Sequence, residues 1–155
     1  MLSNSVKQVH FVGIGGIGMG ALAELLWRQG YQVTGSDRES NVMTQRLADM
    51  GVAVQYDHEP RVIEQADLVV FSSAIAADNP ERSFAEEKGL ALMSRGELLA
   101  HCVNHKRLVA VAGTHGKTTT ASLAAYVLQQ AMPEVSYVIG GVLSDRISPV
   151  RYTSS

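Results

Sequence analysis

Lys117 and Thr118 close the stretch Gly113-Thr-His-Gly-Lys-Thr-Thr119, which directly follows the apolar run Leu108-Val-Ala-Val-Ala112. An apolar strand that breaks at a glycine and restarts as a helix aims several unpaired backbone N–H groups, and the positive end of the helix dipole, at one point. An anion belongs there. Lys117 adds a full positive charge suited to the outer phosphates of a nucleotide, and the Thr118 hydroxyl sits where such loops ligate Mg²⁺. The spacing departs from G-x-x-x-x-G-K-[ST] at one position: Val111 stands where the first glycine would be, so the turn comes later, at Gly113.

A second constellation lies near the N-terminus. Gln8-Val-His-Phe-Val12 is a short β-branched and aromatic run, and Gly13, Gly15 and Gly18 follow it in a G-x-G-x-x-G pattern that leads into apolar residues at helical spacing, Ile17, Leu22, Leu25 and Leu26. In such a strand, turn and helix the first glycine allows the tight turn, the second lets a diphosphate approach, and the third lets the helix pack closely. Asp37 comes nineteen residues after Gly18, at the end of the next strand, where an acid commonly receives a ribose hydroxyl; an aspartate there is equally a turn or helix starter. This pattern specifies a dinucleotide or a nucleotide diphosphate without naming the base. NAD is one candidate.

The elements that must position these groups alternate strand and helix. After Tyr31 to Gly35 come a helix over Val42 to Met50, a strand over Val52 to Gln55, a helical turn after Pro60, and the buried strand Asp67 to Phe71. Ligands of open parallel sheets sit beyond the carboxyl ends of the strands, so the loop from Ser72 to Glu81 should face the same crevice as the glycine turn. Ser72, Ser73 and Asn79 are candidate donors to a sugar or base, with Asn79 equally suited to cap the helix that Pro80 begins. Pro80 to Lys88 reads as a helix, Leu90 to Met93 as a strand, and Ser94 with Glu97 as a capping box. Arg95, in the first turn of that helix, could reach a ligand phosphate, although an exposed arginine near a strand end is usually just solvated. His101 to Arg107 reads as a polar junction without zinc spacing. Beyond the phosphate loop a helix runs from Lys117 to about Gln130, with Leu123, Val127 and Ala131 spaced for one buried face, then a strand over Ser136 to Gly141 and a polar tail.

Composition narrows the class. With 155 residues, a net charge of -2, 18% charged residues and a single cysteine, the chain offers no broad basic surface for nucleic acid and no internal disulfide or Cys-rich metal site. No apolar run approaches the ~18 residues of a membrane span, and Met1 to Lys7 lacks the pattern of a signal peptide, so a cytoplasmic protein with no membrane partner is expected. Cys102 reads as a small buried apolar residue.

The two glycine turns together form an uncommon pair, and the chain resembles the Mur ligases. The resemblance rests on His10-Phe-Val-Gly-Ile-Gly-Gly-Ile-Gly-Met-Gly20, Gly35-Ser-Asp37, Ser72-Ser-Ala-Ile75, Asp78-Asn-Pro-Glu81 and Ala112-Gly-Thr-His-Gly-Lys-Thr-Thr-Thr120, over about Val9 to Gly141. It implies an ATP-dependent, Mg²⁺-requiring amide ligase of peptidoglycan synthesis, of the branch that joins L-alanine to UDP-N-acetylmuramate through an acyl phosphate. Carried over position by position, Gly13, Gly15, Gly16, Gly18, Met19, Asp37, Ser72 and Ser73 fall to the UDP-sugar. Gly113, Thr114, His115, Gly116, Lys117, Thr118 and Thr119 fall to ATP, with Lys117 and Thr118 catalytic and Thr118 facing Mg²⁺.

The expected architecture is α/β: a Rossmann-like parallel sheet with helices on both faces over residues 1–104, followed over 105–155 by the incomplete start of a phosphate-loop α/β domain. The family's remaining acidic and histidine Mg²⁺ ligands and its amino-acid-binding domain find no match after Gly141. The expectation is therefore a fragment that binds UDP-sugar, does not ligate alone, and is open to self-association through unfinished sheet edges. The competing readings are an NAD(H)-binding oxidoreductase domain and a small phosphate-loop NTPase. The latter wants a strand bearing a Mg²⁺ aspartate, and Asp145 follows a Gly-Gly turn instead.

Overall fold

The computed structural model describes residues 2–3, 5–57, 59–141 and 148–153. Five strands, β1 (Gln8–Val12), β2 (Gln32–Ser36), β3 (Ala53–Gln55), β4 (Leu68–Phe71) and β5 (Ala91–Ser94), form one parallel sheet in the order β3-β2-β1-β4-β5. The chain turns outward from β1 in both directions, so the order reverses between β1 and β4. The register aligns Val12 with Ser36 and with Phe71, and Phe71 with Ser94. That alignment brings the glycine turn, Asp37, the loop after Phe71 and Arg95 to one edge of the sheet, at the switch point where such sheets bind ligands.

Alternation along β1 divides the core. Val9 and Phe11 face α1 (Ile17–Arg28), α2 (Val42–Asp49) and α4 (Arg95–Val103), in a cluster that includes Leu22, Leu26, Leu47 and Leu98. Val12 faces the opposite side, where Ile63 of a short 3-10 turn (Pro60–Ile63), Val69, and Ala85 of α3 (Pro80–Lys88) pack together. Helices α2, α3 and α4 each start where a side chain satisfies free amides. Asn41 Oδ1 accepts from Met43 N at 2.9 Å and Thr44 N at 3.0 Å while Thr44 Oγ1 accepts from Asn41 N at 2.8 Å, and Ser94 and Glu97 make the expected capping box. Asn79 caps α3 by accepting from the Glu81 and Arg82 amides, so of its two expected roles the structure assigns it the cap.

The second part departs from expectation in four places. Leu108 to Ala112 is not a strand: Leu108 and Val109 are 53% and 74% exposed, because no described strand lies alongside to pair with them and cover them. Helix α5 (Lys117–Ala131) forms, but Leu123 and Val127 are each 63% exposed and Ala131 is exposed too, while Ala125 is its buried residue. Helical spacing identified an apolar stripe; the buried Ala125 lies one turn from Gln129, whose Oε1 accepts from Arg151 Nη1 at 2.6 Å. Helix α4 runs on through His101 and Cys102 to Val103, so the junction begins at Asn104. Finally, the tail does not simply trail off. β6 (Tyr137–Val138) pairs antiparallel with β7 (Val150–Arg151), and Val150, 2% exposed, joins the core around α1. Residues 142–147, Asp145 among them, lie outside the described residues.

Candidate functional site

The glycine turn is built around the end of β2. The amides of Gly13 and Ile14 both donate to the Ser36 carbonyl, at 2.9 and 3.0 Å, and Gly13 takes φ 80°, a left-handed conformation that disfavours any side chain. Gly15 is required for closeness instead. A Cβ there would stand 2.5 Å from Asn41 Nδ2 and 2.8 Å from Asp37 Oδ2, and the Gly15 amide donates to that same oxygen at 2.7 Å. Gly16 then precedes α1 in extended conformation without any side-chain cap, which leaves the first amides of a twelve-residue helix directed at the crevice.

Around this turn the structure collects most of the residues expected for the UDP-sugar. Ser72 Cβ lies 3.9 Å from the position of a Cβ on Gly13, and Ile75 closes on the same glycine. The guanidinium of Arg95 lies over Gly18, its Nη1 3.1 Å from where a Cβ would be, so a full positive charge stands beside the α1 N-terminus. Ser73 is exposed in the loop. The Met19 side chain is 1% exposed within the core. Asp37 does not simply await a ribose, since its two oxygens accept from the Gly15 and Arg38 amides.

At the phosphate loop Gly113 and Gly116 take φ 150° and 75°, and α5 begins at Lys117 without a side-chain cap. Lys117 Nζ folds back to donate to the carbonyls of Gly113 at 2.5 Å and Thr114 at 3.0 Å. Thr114, His115, Thr118 and Thr119 are exposed, and Gly141 packs on Thr118, where a Cβ would come within 2.5 Å of Thr118 Cγ2. Free amides at the head of a fifteen-residue helix, beside a lysine ammonium, form a donor set suited to the phosphates of a nucleotide.

Two buried polar clusters escaped the sequence. His10 Nδ1 lies 2.8 Å from Thr34 Oγ1 and its Nε2 3.2 Å from Glu81 Oε1, while Ser36 Oγ donates to Glu81 Oε2 at 2.6 Å. A histidine inside a β-branched strand was the available signal, because a buried ring nitrogen requires a partner. The second cluster is centred on Glu24, wholly buried on α1, which accepts from Arg28, Arg46 and Ser148. Burial pushes its carboxyl up, but Arg46, Arg28 and Ser148 together hold it below the ordinary value. A broad hollow of about 480 Å³ lies along α4 between Glu97, His101 and His105. Among the described residues no group of three or more His, Cys, Asp or Glu side chains could hold a metal.

Residues 8–107, the sheet and its helices, match the Mur ligase family, catalytic domain. The chain belongs to the Mur ligase family. Its fold is similar to the UDP-N-acetylmuramate-alanine ligase of Thermotoga maritima, with a TM-score of 0.88 and 31% identity over 94% of this chain and 35% of that one. It is similar as well to the UDP-N-acetylmuramate:L-alanyl-gamma-D-glutamyl-meso-diaminopimelate ligase of Neisseria meningitides, with a TM-score of 0.86 and 32% identity over 96% of this chain and 47% of that one. A murein peptide ligase of Psychrobacter arcticus gives a TM-score of 0.84 and 30% identity over 96% of this chain and 34% of that one. The Mur ligase chain thus spans less than half the length of these solved relatives. Membership gives the glycine turn a ligase setting, and the oxidoreductase alternative finds no support. No described helix is long and apolar enough to cross a membrane.

Proposed function

We propose that this chain is the UDP-sugar-binding sheet, with the opening of the ATP-binding domain, of a cytoplasmic ligase of peptidoglycan synthesis that joins L-alanine to UDP-N-acetylmuramate. The observation that carries the reading is the convergence on one sheet edge of the Gly13 to Gly18 turn, the uncapped start of α1, Arg95 and Ser72. A diphosphate is the ligand that uses all four. The glycine amides and the α1 dipole receive its oxygens, Arg95 neutralises its charge, and the Ser72 to Asn79 loop is left for the sugar or base. UDP-N-acetylmuramate also stands in the names of two of the similar ligases.

In the phosphate loop, the Gly113 to Gly116 backbone, Lys117 and Thr118 would hold Mg-ATP. The nucleotide supplies activation of the muramate carboxylate as an acyl phosphate, from which the incoming amine displaces phosphate. The residues of this chain bind and orient the two substrates. By this reading residues 1–104 and 105–155 belong to two domains, and the chain alone binds UDP-sugar without completing ligation. A second reading, attachment of a peptide in place of L-alanine, has the 32% identity with the tripeptide ligase in its favour and shares the same UDP-sugar site.

Calorimetric titration with UDP-N-acetylmuramate, beside Mg-ATP and NADH in the same buffer, tests the proposal. Saturable binding of the UDP-sugar and none of NADH is expected. Binding of NADH with no response to the UDP-sugar would reject it.

A further inference from the structure

Glu81 stands at a junction that the ligand itself does not need to touch. It is the second residue of α3, immediately after the loop from Ser72 to Asn79, and it is completely buried. Its Oε2 accepts from Ser36 Oγ at 2.6 Å, and its Oε1 lies 3.2 Å from His10 Nε2. Ser36 is in turn the residue whose carbonyl receives both the Gly13 and Ile14 amides. One carboxyl group therefore connects the start of α3 on one side of the crevice to the backbone that fixes the glycine turn on the other. His10, held at its far nitrogen by Thr34 Oγ1, braces the carboxyl group from β1.

We propose that Glu81 is a positioning residue for UDP-sugar binding, acting through Ser36 to set the spacing between the glycine turn and the Ser72 to Asn79 loop. The inference rests on the reading of the crevice as a UDP-sugar site. An apolar residue at this place would fill the same volume but leave Ser36 Oγ and His10 Nε2 without this acceptor. A carboxyl group between three elements fixes both distance and angle, because each oxygen has its own partner.

The test uses Glu81→Met, Ser36→Ala and the double variant, each checked for a cooperative urea transition. UDP-N-acetylmuramate affinity is measured by calorimetry and exchange of the Gly13 and Ile14 amides by NMR in the ligand-free chain. Each single variant is expected to weaken UDP-sugar binding about ten-fold and to speed exchange of those two amides relative to the rest of β1. The double variant should lose no more than about two-fold beyond the worse single one, since both changes break one connection. Wild-type affinity in folded Glu81→Met or Ser36→Ala, or fully additive losses, would overturn the proposal. If Glu81→Met does not fold, Ser36→Ala alone decides by the same two measurements. If the unaltered chain does not bind UDP-N-acetylmuramate, the functional reading fails, and unchanged exchange of Gly13 and Ile14 in the variants is then what overturns the positioning role.

Discussion

The Gly15 amide donates to Asp37 Oδ2 at 2.7 Å, which makes the acid at the end of β2 a structural part of the glycine turn. Its other oxygen accepts from the Arg38 amide at 2.8 Å. In this chain the acid just after β2 accepts from two backbone amides, and the space beside Gly15 is filled by Asn41 and Thr44 of the α2 cap.

Gly15→Ala tests how tightly that space is filled. The added methyl would stand 2.5 Å from Asn41 Nδ2 and 2.9 Å from Thr44 Cγ2, and both side chains are fixed by the capping box. We expect a loss of about 1–3 kcal/mol in urea unfolding, the usual cost of overpacking, together with weaker UDP-sugar binding. Unchanged stability would mean that α2 moves aside freely.

Glu24 joins α1 to α2 through Arg46 and to the tail through Ser148. Its folded-state value is depressed, so its contribution is present above the ordinary carboxylate value of about 4.3 and is lost as pH falls through the depressed folded value. Glu24→Gln should cost about 3 kcal/mol near neutral pH, at the lower end for breaking a buried ion pair because Arg28 and Arg46 reach solvent. It should also flatten the acid limb of the stability profile. Equal acid sensitivity in variant and wild type, measured by urea midpoints across the acid range, would remove Glu24 from that role.

Lys117 Nζ donates to the carbonyls of Gly113 and Thr114 in its exposed loop, and nucleotide phosphates would take their place. Lys117→Ala should weaken Mg-ATP binding by at least about ten-fold, the loss of one charge-assisted contact, with no change in UDP-sugar affinity. Fluorescent-nucleotide titration of both proteins decides it. Equal affinities would take the lysine out of the nucleotide site.

Cys102 lies partly buried on α4 against the main core, and burial pushes its thiol up to about 11. The thiolate is the reactive form, so alkylation of the native chain near neutral pH should be far slower than alkylation in urea. Comparable rates, followed by mass spectrometry, would show that α4 opens readily.

The sequence by itself determined the order of strands and helices through α4, and the two glycine turns. Strand and helix periods differ, glycine marks turns, and Asn, Ser and Pro mark helix starts, all of them effects that act within a few residues. It could not place Glu81, because nothing local distinguishes a carboxylate on a charged-looking helix from one buried against His10 and Ser36, far away along the chain. The same holds for Glu24, which meets Ser148 only after the tail returns to α1. Helical spacing singled out Leu123 and Val127, yet which side of α5 is covered depends on what packs against it, and in this chain Ala125 is buried while those two are exposed. Tertiary structure decided those points because burial and hydrogen-bond partners are properties of chain segments brought together, and a local pattern records only the tendency of each segment alone.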